Sequence, residues 1–139
     1  MIVLDTNVVS ELMRPVSSPA VLKWISKYPA RELYSSTITL AEILYGIELL
    51  PTGKRRSELL AGAERMFTGV LAERIFGFDD QAARAFAPIA CAQRKRGRPM
   101  AELDAQIAAI AQVHRAALAT RNTDDFEGCG VQLMNPWID

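Results

Sequence analysis

The sequence predicts an α/β fold, with a mainly parallel central sheet of about four to five strands. Two stretches carry that expectation. Met1-Ile2-Val3-Leu4 runs without polar interruption into Asp5-Thr6-Asn7, and Ala116-Ala117-Leu118-Ala119-Thr120 runs in the same way into Arg121-Asn122-Thr123-Asp124-Asp125-Phe126. A short apolar run that ends in a polar cluster reads as a strand buried on both faces, the kind a parallel sheet contains. Helical periodicity fills the intervals between these runs and three weaker strand signals. In open α/β sheets ligands sit beyond the carboxyl ends of the strands, so Asp5 stands where a site is expected. It caps the next helix, points into a site, or does both.

The chain has 139 residues, which is most simply one domain burying roughly two thirds of the surface its unfolded chain exposes. Hydrophobic residues make up 50%, yet no apolar run approaches the roughly 20 residues of a membrane span, and the start lacks the basic region of a signal peptide. A soluble, cytoplasmic protein without membrane contact is expected. Cys91 and Cys129 suggest neither a disulfide framework nor a zinc site. Sixteen basic residues balance sixteen acidic ones, so net charge alone does not draw the chain to nucleic acid. Twelve of the cations are arginine and four are lysine, a bias toward the side chain that grips phosphate bidentately, although arginine use also follows genomic base composition.

Taken in order, residues 6–13 form a short helix stopped by Pro15, and Ser18 or Pro19 opens a second helix with Val21, Leu22 and Ile25 at core spacing. Trp24 and Tyr28 share a stripe and read as packing rather than a base-stacking platform. Residues 33–38 make a second strand, after which Thr39 caps a helix with Leu40, Ile43, Leu44, Ile47 and Leu50 on its core stripe. Glu42 lies off that stripe in line with Gly46. Glycine inside a helix costs roughly 1 kcal/mol against alanine, so a close approach beside Glu42 is expected. Pro51 and Gly53 break the chain before a long amphipathic helix over 54–71, with Leu59, Leu60, Ala63, Met66, Phe67 and Val70 on its apolar face. Its opening Lys54-Arg55-Arg56 is a solvated loop or an anion contact.

Residues 74–78 read as a short strand, followed by an alanine-rich helix to Ala92 that Pro88 should kink or break. The densest positive stretch follows, with Arg94, Lys95, Arg96 and Arg98. It serves the helix dipole or contacts a phosphate backbone. The next helix, from Glu102, buries Leu103, Ile107, Ile110 and Ala111 and carries Asp104 in its first turn, the end that favours an anion. His114, the only histidine, reads as surface or packing and not as a general base. A last strand over 131–134 leads into Asn135-Pro136-Trp137.

Gathering Asp5, Glu42, Asp104 and the knot over 122–125 in one pocket would be destabilising without a counterion, because like charges raise one another's pKa. A divalent cation resolves this. Oxygen ligands without histidine or cysteine select Mg2+ or Mn2+. Such a site activates water and stabilises charge building on a phosphodiester.

On these residues the chain resembles the PIN-domain endoribonucleases of the VapC class, toxins of type II toxin–antitoxin pairs, and is especially similar to the FitB-like branch. The resemblance rests on Val3-Leu4-Asp5-Thr6-Asn7 with Ser10-Glu11, on Ser36-Thr37-Ile38-Thr39-Leu40-Ala41-Glu42 with Gly46, on Asp104-Ala105-Gln106-Ile107-Ala108-Ala109, on residues 118–126, and on the Asn135-Pro136-Trp137 ending. It implies a single PIN domain over residues 1–139, a three-layer α/β/α sandwich, with Asp5, Glu42 and Asp104 as metal-site acids. Many relatives carry a fourth acid where this chain has Asn122, which accepts from water or orients a ligand but brings no charge, so either metal affinity falls or Asp124 or, by pattern, Asp125 compensates. Thr6 and Thr120 would hydrogen-bond the carboxylates or metal-bound waters. The resemblance also implies a homodimer, an RNA substrate, and a small antitoxin contacting the helices between Thr39 and about Leu71. Two other functions compete. A non-catalytic PIN module would bind RNA or a protein without cutting, an option kept open by Asn122. A phosphoacceptor receiver domain also gathers acids around magnesium but needs a lysine after a late strand, and the last lysine is Lys95.

Overall fold

The computed structural model describes residues 1–139. Five parallel strands, β1 (Ile2–Leu4), β2 (Leu33–Ser36), β3 (Ile75–Phe76), β4 (Ala117–Ala119) and β5 (Leu133–Met134), form one sheet in the order β3-β2-β1-β4-β5. Seven helices connect and cover them: α1 (Thr6–Leu12), α2 (Pro19–Ile25), α3 (Thr37–Glu48), α4 (Lys54–Arg65), α5 (Asp80–Lys95), α6 (Glu102–Val113) and α7 (Thr123–Phe126). The receiver fold has strand order 2-1-3-4-5, which this sheet does not share.

Side chains alternate across each strand and divide the core in two. Ile2, Leu4, Leu33 and Ala119 face a cluster with Val8, Val9, Trp24, Ile43, Ile47, Met66 and Phe67 from α1–α4 and the turn after them. Val3 and Leu118 face the opposite cluster, with Ile89 from α5 and Ile107, Ala108, Ala109 and Ala111 from α6. Both faces of β1 are therefore covered, which accounts for its uninterrupted apolar run and gives the three-layer α/β/α arrangement.

Several local expectations differ. The strand expected over 33–38 stops at Ser36, whose hydroxyl caps α3 by accepting the Thr39 N–H at 3.1 Å, so Ser36 and not Thr39 is the cap. Thr39 is fully buried and its hydroxyl is engaged elsewhere. α4 ends at Arg65 and passes into one π-helical turn, Met66–Val70. β3 is shortened to two residues. α5 runs through Pro88 to Lys95 instead of ending at Ala92, with Pro88 on its exposed side. Leu44 and Leu103, expected in the core, are 37% and 44% exposed, and Leu60 and Val70 also face solvent. In α6 the small residues Ala105, Ala108 and Ala109 do the burying instead, letting the helix wedge between the sheet and α5.

Candidate active site

β1 lies at the point where the chain, having laid down β2 and β3 on one side, crosses to lay down β4 and β5 on the other. A crevice opens at such a switch point, beyond the strand ends. Asp5 ends β1 and Thr120 ends β4, and the two are joined across it: the Thr120 hydroxyl donates to Asp5 Oδ2 at 2.7 Å. Asp5 Oδ1 accepts the Thr6 N–H at 2.8 Å and so caps α1. Both readings of Asp5 hold at once, since capping takes one oxygen and leaves the other at the crevice.

The hydroxyls around it are fully committed. Thr6 donates its single proton to Glu42 Oε1 at 2.8 Å, so the 3.1 Å contact between the Thr6 and Thr39 hydroxyls is donated by Thr39. Thr120, having donated to Asp5, accepts the Asn122 N–H at 3.1 Å and Asn7 Nδ2 at 3.4 Å. Asn7 also reaches Asp5 Oδ2 at 3.4 Å and accepts the Arg121 N–H at 3.1 Å through Oδ1. Asn7 thus ties the end of β1 to the segment after β4. In the sequence Asn7 is only part of the polar end of the first strand, and this bridging role is not apparent there; two polar side chains at the ends of separate strands were the available signal.

Asp104 comes from the first turn of α6, and Asp125 from α7. Burial raises the pKa of Asp5, the Thr120 and Thr6 hydrogen bonds oppose the rise, and the charges of Glu42 and Asp125 add to it. Burial, then the charges of Asp5, Asp125 and Glu42, push Asp104 up to about 6. Four carboxylates from four elements therefore share one electrostatic field. The Asn122 side chain is exposed and makes no hydrogen bond; only its backbone enters the network. Asp124 is exposed on the same turn and lines a cleft with Asp104 and Asp125.

No three of these carboxylates converge closely enough to chelate one ion by themselves. That suits a hard cation which keeps several waters and takes only one or two carboxylates, as Mg2+ does. The excess negative charge and all-oxygen donor set fit such an ion.

The basic stretch is only partly free. Arg96 donates to the Gly128 carbonyl at 2.6 Å and to Gln93 Oε1, while Arg98 donates to the Asp124 carbonyl at 3.0 Å and pairs with the Glu127 carboxylate at 3.2 Å. Buried Gln93 donates to the Glu127 carbonyl at 2.8 Å. The end of α5 therefore clamps the α7 turn that carries Asp125. Arg94 and Lys95 remain exposed and unpaired.

The expected close approach at Gly46 is absent: a Cβ there would meet nothing within 4 Å. Gly46 instead forms part of an open cleft that reaches Thr6 and Glu42. His114 stacks on Phe76 with ring centroids 3.6 Å apart, and Trp24 packs on Tyr28 at 4.9 Å. Of the Lys54-Arg55-Arg56 string, Lys54 pairs with Glu58 and Arg56 with Glu48. A cavity of about 880 Å³ between α1 and α4 holds none of the four site acids and is lined by Leu12, Met13, Arg14, Arg55, Glu58 and Arg65 among others.

A family model described as PIN domain matches residues 2–129. The chain is 37% identical to Toxin FitB of Neisseria gonorrhoeae, over 100% of both chains. It is 40% identical to VapC ribonuclease Y4jK of Sinorhizobium fredii, over 99% of this chain and 98% of that one. Among solved structures, FitAcB from Neisseria gonorrhoeae matches with a TM-score of 0.91 at 37% identity, covering 100% of each chain.

Proposed function

The chain belongs to the PIN-domain family, among the VapC and FitB proteins it matches along its whole length, and from that premise we propose that it is a metal-dependent endoribonuclease, the toxin of a toxin–antitoxin pair. The observation that carries the proposal is the gathering of Asp5, Glu42, Asp104 and Asp125 at one end of the sheet, where burial first and then the charges of Asp5, Asp125 and Glu42 push Asp104 up to about 6. Asp5, Glu42 and Asp104 would hold the ion, Mg2+ or Mn2+, one or two of them directly and the rest through its waters, and Asp125 would supply the charge that Asn122 does not. When bound, the ion lowers the pKa of a coordinated water and offsets charge on the phosphodiester in flight.

The chain's own residues do the rest. Thr120 and the Thr6 amide hold both oxygens of Asp5, and the Thr6 hydroxyl, backed by Thr39, holds Glu42. Acids oriented before the ion arrives need no rearrangement during reaction. Arg94 and Lys95, free of intramolecular partners, contact substrate phosphates. The groove between α1 and α4 and the exposed Leu44, Tyr45 and Leu49 of the segment from α3 serve the antitoxin and a second copy of the chain. The protein acts in the cytoplasm.

The test is cleavage of total RNA by antitoxin-free protein in Mg2+, in Mn2+ and in chelator, beside Asp104→Ala. Metal-dependent fragments absent from the variant are expected. A second reading is favoured by the exposed, uncharged Asn122: a PIN module that binds RNA without cutting it. RNA binding with no fragments in either metal would select that reading.

A further inference from the structure

Arg121 stands out among the arginines that neither form an ion pair nor donate a guanidinium hydrogen bond. It alone has its backbone bonded into the network around Asp5. Its N–H donates to Asn7 Oδ1 at 3.1 Å, and its carbonyl accepts Asn135 Nδ2 at 3.4 Å. The segment after β4 is thereby pinned from both sides at the mouth of the crevice. The guanidinium lies over the Trp137 ring, 5.0 Å from its centroid. Trp137 is held in turn, through its N–H to Asn135 Oδ1 at 3.0 Å and by packing against the core.

Arg121 is exposed and pairs with no carboxylate, and its place over the Trp137 ring restrains the planar fork without consuming its N–H donors. A restrained, unconsumed fork matches a phosphate, which it binds through two parallel hydrogen bonds. A protein carboxylate would offer the same geometry, but it would add a further negative charge at the mouth of a crevice already crowded with acids. A nucleic-acid strand whose scissile phosphate enters that crevice must place a neighbouring phosphate outside it.

We infer that Arg121, stacked on Trp137, is a binding site for a backbone phosphate of the substrate strand just outside the acid pocket. This rests on the RNA-cleaving reading. The aromatic ring orients the cation, and a lysine in its place keeps the charge but loses the fork.

The test is equilibrium binding of a fluorescein-labelled, random-sequence single-stranded RNA to the full-length Asp104→Asn protein across a salt series in Mg2+. Arg121→Ala, Arg121→Lys and Trp137→Leu are compared in the same background. Arg121→Ala should weaken binding about tenfold at low salt and lower the slope of log K against log salt by about one, the signature of one lost phosphate contact. Arg121→Lys should restore the slope but only part of the affinity. Trp137→Leu should lower affinity with the slope kept. An unchanged slope in Arg121→Ala, with unchanged RNA binding or loss of binding to a cognate protein only, overturns this inference and leaves the nuclease reading intact. Absence of RNA binding in both the Asp104→Asn parent and the unsubstituted protein overturns both.

Discussion

Asp104 couples the site to pH. Its carboxyl is raised from 3.8 to about 6 by burial and by Asp5, Asp125 and Glu42, in that order. Between these values the folded chain holds a proton that the unfolded chain has released, so stability falls as pH rises through that window, and the loss is complete above about 6. Two pH units correspond to about 3 kcal/mol, and solvent screening at this half-exposed group reduces that to about 1 kcal/mol. In chelator, Asp104→Asn should therefore melt above the parent at pH 7.5 and show a shallower pH slope, the remainder belonging to Asp5, whose shift has the same sign. Calorimetry from pH 4 to pH 8 checks this; identical curves for parent and variant would mean that Asp104 has no unusual proton affinity. The acids themselves were legible in the sequence, because Asp5 follows a plain apolar strand, Asp104 lies in the first turn of a periodic helix, and Glu42 lies off the core stripe of another. Their hydroxyl partners were only partly so. Thr6 and Thr120 stand beside acids, but Thr39 reaches Thr6 from 33 residues away, and nothing local announces that.

At the scale of elements, the end of α5 and the α7 turn form a unit. Arg96, Arg98 and Gln93 bind three carbonyls and one carboxylate of residues 124–128. Gly128 permits this twice over: its φ is +81°, and a Cβ there would lie 2.5 Å from the Arg96 guanidinium. The double variant Arg96→Ala, Arg98→Ala should release the turn, so that amides of residues 124–129 exchange faster while those of β1 and β4 are unchanged, and metal-dependent cleavage falls as Asp125 loses its position. Hydrogen exchange by mass spectrometry checks it; uniform protection in both proteins would return these arginines to a solvent-facing role. The cluster of cations was visible in the sequence as charge. Which of them face outward depended on the loop that folds back beneath them, a contact across about thirty residues with no periodic signal. The α3 cap was misplaced for a related reason. Ser36, Thr37 and Thr39 all have capping chemistry, and only the packing of Thr39 against Thr6 decides among them.

At the scale of the whole molecule, four elements bring negative charge to one end of the sheet, and the fold tolerates it because a counterion can be added. Saturating Mg2+, at about a hundredfold its Kd, should raise stability by about 2.7 kcal/mol. The gain should be larger at pH 7.5 than at pH 5, where Asp104 is protonated, and most of it should vanish in Asp104→Asn. Melting curves in Mg2+ and in chelator decide this, and coincident curves at both pH values would speak against a metal site. By itself the sequence determined the class of fold, the buried strands and the three acids, because hydrophobic periodicity and the polar ends of strands are local properties written into adjacent residues. It also carried the family resemblance, spread over the whole chain. Only the tertiary structure decided that Asn7 bridges two strand ends, that Gly46 opens a cleft instead of admitting a neighbour, that Arg96 and Arg98 are clamps, and that Arg121 lies on Trp137. Each of those depends on which distant segments the sheet order brings together at its carboxyl edge, and that order is set by the packing of two cores on opposite faces rather than by any one stretch of chain.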